Sequence, residues 1–346
     1  LPRPTRADRS AKGWCAVTRR RPIEYPEFTF YDAPRHVVLF SGGHSSALVA
    51  IEVVRRYGRD GVVLLNHDIH PRAEDVDVKR FKAEVAAHLG LPITYANHPR
   101  WDEMDQFDVV QKARAFKGAK GHVVCTARLK TEPFAAWLGE HCPPGTATMF
   151  YGFDAEETDR IQRRASILGA QGYESDYPLA MWKRTITSTR EIGIEPPMGY
   201  ARFKHANCKG CLKAGWQHWF VVYATERWAW EKGKVAEDDI GYSIHRDGTL
   251  EEREPMFEAM LRAGVEPTEH VPPGAFWANA RKAVRHLPVV AEVAAQEVIA
   301  KDERSCECVF IRPPKRGARD TTACTCLAPP GVGHALHCAR VMGRAA

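Results

Sequence analysis

The apolar positions along the chain alternate between two rhythms. A continuous β-branched run, VVLF (37–40), gives way to helical spacing from Ala47 to Tyr57, which stops at Gly58. GVVLLNHD (61–68) reads as a second buried strand, and helical spacing returns from Ala73 to Leu89 through Val76, Phe81, Val85, Ala86 and Leu89, with Gly90 placed to cap it. PITYANH (92–98) predicts a third strand, TARLKTEPFAAWLGEH (126–141) a helix, and TATMFYGFD (146–154) a fourth strand, with a polar helix opening near Glu156. Such alternation implies right-handed βαβ units and a parallel sheet. Beyond about residue 190 it stops: 214–233 is aromatic-rich and helical, and 234–300 reads as short helices and loops. The expected fold is α/β, an open doubly wound, mostly parallel, Rossmann-like sheet with a helical C-terminal extension. No internal repeat is visible.

Three unusual polar segments, SGGHSS, NHDIHPR and GFDAEETDR, fall where strands should end. Ligands of open parallel sheets sit at those carboxyl ends. Gly42 and Gly43 let the backbone approach a ligand and expose its N–H groups, while Ser41, Ser45 and Ser46 add hydroxyls. With a helix N-terminus behind it, the loop suits phosphate or pyrophosphate. It is neither GxxxxGK[ST] nor GxGxxG. The plainer alternative is a tight strand-to-helix turn with a serine cap.

Composition narrows the class. The chain has 346 residues, 44% hydrophobic and 27% charged, enough for one large core or two domains. No apolar run approaches the roughly 20 residues that span a bilayer. The first residues are basic without an apolar core, so a cytoplasmic location with no membrane partner is expected. A net charge of +6 suits an anionic small molecule, or nucleic acid as a possible partner. Ten cysteines are many for a reducing compartment and point to metal or redox chemistry.

The motifs, in order, resemble a known superfamily. Ser41-Gly42-Gly43-His44-Ser45-Ser46 looks like the SGGxDS loop of the PP-loop ATP pyrophosphatases, and the chain is more similar still to the phosphoadenosine phosphosulfate (PAPS) reductase family of the adenine nucleotide alpha-hydrolase group. NHDIHPRAEDVDVKRFKAEVAAHLGLPI resembles that family's strand-two segment, CTARLKTEP (125–133) its CTxxLKxxP element, and GFDAEETDRIQRR (152–164) its GxRxxES-RR element. YPL (177–179) with Trp182 is similar to YPLxxW, and HANCKGCLKAG (205–215) to HxNCxGCxKAG. The resemblance covers about residues 36–225. Ser45 stands where the pyrophosphatase loop carries an acidic residue, and no ECGxH-like motif follows.

The resemblance implies binding of ATP or PAPS, with Mg²⁺, at Ser41, Gly42, Gly43, Ser45 and Ser46. Asp68, Lys130, Glu157, Arg160, Arg163 and Arg164 are further nucleotide-binding candidates. Arg160, Arg163 and Arg164 can share one helix face, suited to an anion or to surface ion pairs with Glu157. Cys208 and Cys211 form CxxC, and Cys125 is the natural third thiol, so these three are the catalytic and metal candidates. They could hold a [4Fe–4S] cluster, a zinc ion with His205, a redox dithiol or no ligand. Lys209 and Lys213 beside the pair would lower thiol pKa values.

The expected organisation is a basic arm over 1–33, a PP-loop, PAPS-reductase-like domain over 34–232, a helical extension over 233–300, and a Cys-rich tail over 301–346, disordered or metal-binding. The expected function is that of an oxidoreductase or sulfurtransferase. It would reduce a sulfonucleotide, or adenylate a substrate before sulfur transfer, with an unidentified sulfur or electron donor. The alternatives are a non-catalytic nucleotide-binding module in a defence or nucleic-acid-modification system, and a zinc-stabilised nucleic-acid-binding protein.

Overall fold

The computed structural model describes residues 36–119 and 121–286. All belong to the first of two units into which the chain divides, Leu1–Phe310. The expected N-terminal arm and Cys-rich tail lie outside the described residues.

Five parallel strands form one sheet: β1 (His36–Leu39), β2 (Val62–Asn66), β3 (Ile93–Tyr95), β4 (Thr148–Phe150) and β5 (Glu174–Asp176), in the order β3-β2-β1-β4-β5. Val38 pairs with Leu64 on one side and Phe150 on the other, which fixes the central register. The strand order reverses direction between β1 and β4. At such a switch point the two carboxyl-end loops part and leave a crevice.

The period of two along the strands sorts side chains to two faces. Val38, Phe40, Leu64 and Phe150 are buried with α1 (His44–Tyr57), α2 (Val76–Leu89) and α7 (Pro178–Met181). Val37, Leu65, Met149 and Tyr151 are buried with α5 (Glu132–His141) and α6 (Thr158–Ala170) on the other. Helices thus cover both faces, as a doubly wound fold requires. A third core joins α3 (Gln106–Ala113) and α4 (Val124–Thr126) to α8 (Trp216–Thr225), α9 (Arg227–Ile240), α10 (Leu250–Arg262) and α11 (Pro273–Val284). Its centre is aromatic: Phe107, Trp219, Phe220, Trp230 and Phe257 are fully buried.

The expected boundaries shift in three places, and two elements are new. The second helix begins at Val76, not Ala73, because Asp75 caps it by accepting the Asp77 N–H at 2.8 Å; Val76 is then 76% exposed and no core residue. The helix expected over 126–141 is interrupted by a π turn at Ala127–Thr131, since Pro133 has no N–H for the Leu129 carbonyl. The aromatic helix expected over 214–233 is two helices that meet at Glu226. β5 and α3 were not anticipated at all.

Candidate functional site

The Ser-Gly-Gly loop leaves the end of β1 and enters α1 at the switch point. A buried polar chain sets its height. Glu74 binds the Lys82 ammonium at 2.7 Å, Lys82 donates to Asn66 Oδ1 at 3.1 Å, and Asn66 Nδ2 donates to the Phe40 carbonyl at 2.5 Å. The Lys82 side chain is 1% exposed, and burial pushes its pKa down against the pull of Glu74. Its stem lies directly under the loop. A Cβ on Gly42 would stand 2.8 Å from Lys82 Cγ and Cδ, and φ there is +85°, so only glycine fits without strain. Gly152, after β4, crosses the loop as closely: its Cβ would stand 3.1 Å from Ser46 N. The two carboxyl-end loops therefore meet backbone to backbone.

Within the loop the hydroxyls divide. Ser46 is buried and donates to the Gly43 carbonyl at 2.8 Å, so its proton serves the turn; Ser41 donates to Ser46 Oγ at 3.3 Å. Ser45 is exposed beside Gly152. His44 opens α1. Its Nε2 accepts the Thr189 N–H at 3.2 Å, and burial together with nearby Arg190 lowers its pKa, so the ring is neutral at neutral pH. The His44 backbone N–H donates to the Tyr200 hydroxyl at 3.0 Å.

β2 ends at Asn66, so Asp68 lies two residues beyond the strand rather than at its end; it is ion-paired with Lys79 at 2.5 Å, while Asn97 locks its backbone to the segment after β3. His67 beside it donates Nδ1–H to the Ala96 carbonyl at 2.5 Å. Burial lowers its pKa to about 4, with Lys130 and Lys82 adding to the effect. Lys130 thus reaches the rim of β2. Glu157 is committed twice: one oxygen accepts the Asp154 N–H at 2.9 Å in a helix cap, and the other pairs with Arg160. Arg160 lies over the Phe153 ring at 4.3 Å and Arg164 over Tyr151 at 5.2 Å. The arginine row is therefore spent largely on an aromatic ladder and a cap. Arg163 also has an interaction of its own.

The segment bearing Cys208 is tied to the Ser-Gly-Gly loop through Tyr200, whose hydroxyl meets the His44 and Ala206 amides. A Cβ on Gly43 would lie 3.2 Å from Tyr200 Oη and 3.9 Å from Ala206 Cβ. Gly210, with φ +70°, turns the chain between Cys208 and Cys211 where a Cβ would meet Phe107 at 2.9 Å. Burial first, and then Cys208, push the Cys125 thiol up to about 12; Lys213 and Lys130 oppose this. Cys125 is therefore a protonated thiol, and the lowering effect expected of Lys213 is present there but outweighed. Lys209 does not help, because it pairs with Asp75 at 3.1 Å and Glu226 at 2.8 Å. The Cys211 N–H donates to His218 Nε2 at 3.3 Å, and Glu269 holds His218 Nδ1 at 2.8 Å.

Cys125 and Cys208 thus share one neighbourhood. Among the described residues, no group of three or more His, Cys, Asp or Glu side chains is arranged to hold a metal ion. The three cysteines with His205 do not form a cluster or zinc cage as placed, nor do carboxylates converge for Mg²⁺. His205 instead faces Glu157, Arg160, Lys204 and Glu269. Lys82, Asn66, Tyr200 and the His218–Glu269 pair were missed by the sequence reading. Only the tertiary fold brings them to the loops.

No family model, curated protein or solved structure matches the chain. Among the described residues, no helix is long and apolar enough to cross a membrane.

Proposed function

We propose that this chain is a PP-loop enzyme of the PAPS-reductase-like kind. It binds ATP or PAPS at Ser41–Ser46 and performs sulfur or redox chemistry at Cys125, Cys208 and Cys211. The observation that carries the reading is the contact at Gly43. There, a glycine-rich strand-to-helix loop at a sheet switch point is joined through the Tyr200 hydroxyl, which meets the His44 and Ala206 amides, to the segment that bears Cys208 two residues beyond Ala206. A phosphate at the N-terminus of α1 would meet the exposed Ser41 and Ser45 and the first-turn N–H groups. Lys130, at the rim of β2, adds positive charge on the side of Cys125.

The iron–sulfur reading is tested first by metal and labile sulfide content after purification without oxygen. The same protein is then titrated calorimetrically with ATP and with PAPS. Saturable binding of either, weakened at least about tenfold by Lys130→Ala and unchanged by Arg262→Ala on α10, is expected, since a charged contact contributes about 1.5–3 kcal/mol. Absence of binding to both nucleotides overturns the proposal.

One observation favours a second reading, that of a non-catalytic nucleotide-binding module. Asp68, beyond the end of β2, is ion-paired with Lys79, and Ser45 offers no carboxylate. Binding of ATP without release of pyrophosphate or reduction of PAPS would select it.

A further inference from the structure

Resting on the nucleotide reading above, we infer that the Tyr200 hydroxyl is an internal, displaceable occupant of the Ser-Gly-Gly loop. Its displacement by an anionic ligand would release the cysteine segment. The phenol oxygen accepts the His44 N–H at 3.0 Å, at the mouth of a 14-residue helix where a ligand oxygen would bind. It stands 3.2 Å from where a Gly43 side chain would begin. The backbone amide of Ala206 approaches the same oxygen, and both amides favour its ionised form while burial opposes it. Tyr200 therefore ties the loop after β1 to the segment that carries Cys208.

The backbone of Tyr200 is fixed from both sides, so only the side chain needs to move. Asp77 accepts the Met198 N–H at 2.6 Å, and His270 Nε2 meets the Tyr200 carbonyl at 2.7 Å. A neutral phenol is a weaker acceptor for the helix N-terminus than a phosphate oxygen, because charge-assisted hydrogen bonds are roughly twice as strong. Rotation of the ring out of the loop would remove the acceptor from the Ala206 amide, two residues before Cys208. Ligand arrival and thiol accessibility are then one event.

The test compares the wild-type chain with Tyr200→Phe, which keeps the ring and removes the oxygen. Inorganic pyrophosphate and ATP are the probes, binding is read by calorimetry, and alkylation of Cys208 and Cys211 by iodoacetamide is read by peptide mass spectrometry. The expected result is about 3- to 10-fold tighter binding by Tyr200→Phe, the worth of one neutral hydrogen bond. Pyrophosphate should speed alkylation in the wild type, whereas the variant should be fast already and indifferent to ligand. Weaker binding by the variant, or wild-type alkylation that is unchanged or slower at saturation, overturns the latch while leaving the nucleotide site intact. Binding by neither protein overturns the nucleotide site itself and the latch with it. Should the variant not fold, hydrogen exchange of the wild type decides: loss of protection over 204–212 on ligand addition is required.

Discussion

Beneath the Ser-Gly-Gly loop, buried polar atoms are joined end to end, from Glu74 through Lys82 and Asn66 to the Phe40 carbonyl. In the aromatic layer of α8–α11 some are joined, as in His218–Glu269 and Trp216–Asp247, and three are not. Trp219 Nε1, Trp230 Nε1 and His245 Nε2 are all buried without a hydrogen-bond partner. The first region is specified by directional bonds, which fix a backbone to a fraction of an ångström. The second is specified by volume and ring packing, as between Trp219 and Trp230, whose centroids lie 6.2 Å apart. A loop that must present N–H groups at a set spacing needs the first kind of support. A layer that backs the cysteine segment needs only to be full.

Breaking the polar chain should have the largest effect. Lys82→Met keeps the stem under Gly42 but leaves Glu74 with only the longer contact to Lys79 at 3.7 Å, and is expected to cost about 2–3 kcal/mol in urea unfolding. A loss under about 1 kcal/mol would show that the chain contributes little.

Acid should come next, and it probes both regions at once. Burial lowers the pKa of His67 to about 4 and of His245 to about 3, against 6.5 for an unburied imidazole. In this window the unfolded chain binds more protons, so the stabilisation is fully present above 6.5 and declines as pH falls towards those values. His245→Phe should flatten part of that decline without loss of stability near neutrality, because its Nε2 has no partner to lose. A pH profile unchanged by the substitution contradicts this.

Trp219→Phe should cost about 1–2 kcal/mol, a loss of volume alone, since its N–H makes no bond. The smallest effect belongs to Arg262→Ala. The pair with Glu258 is 3.7 Å long with side chains 58% and 59% exposed, and its removal should shift stability by no more than about 0.5 kcal/mol.

Much of the sheet was legible because its strands are apolar runs and its helices carry a regular stripe. β5 was not, since Glu174-Ser175-Asp176 is an edge strand whose residues read as polar loop. Nor was α3, whose eight residues carry too short an apolar stripe, Phe107, Val109 and Val110, to stand out, though a capping box of Asp105 with Asp108 starts it. The Ser-Gly-Gly loop announced itself through its glycines. Its supports did not: Lys82 looks like any solvated lysine of an amphipathic helix until the fold places Glu74 and Asn66 around it, and Tyr200 lies 156 residues from the amide it binds. Of the charged candidates, Asp68 lies two residues past β2 and Glu157 in the turn after β4, whereas Lys130 sits in the π turn before α5 and Arg160, Arg163 and Arg164 lie on α6. The Glu157–Arg160 pair was one of the two options the sequence offered, but the sequence could not reveal that Lys79 and Phe153 would engage Asp68 and Arg160.

The central claim is that the carboxyl-end loops of β1 and β4 hold an adenine nucleotide. Hydrogen exchange with and without saturating ATP or PAPS tests it most directly. The account predicts slowed exchange over 41–47 and 152–160 with either nucleotide. Unchanged exchange in both segments, or protection confined to the helical layer of α8–α11, would contradict it.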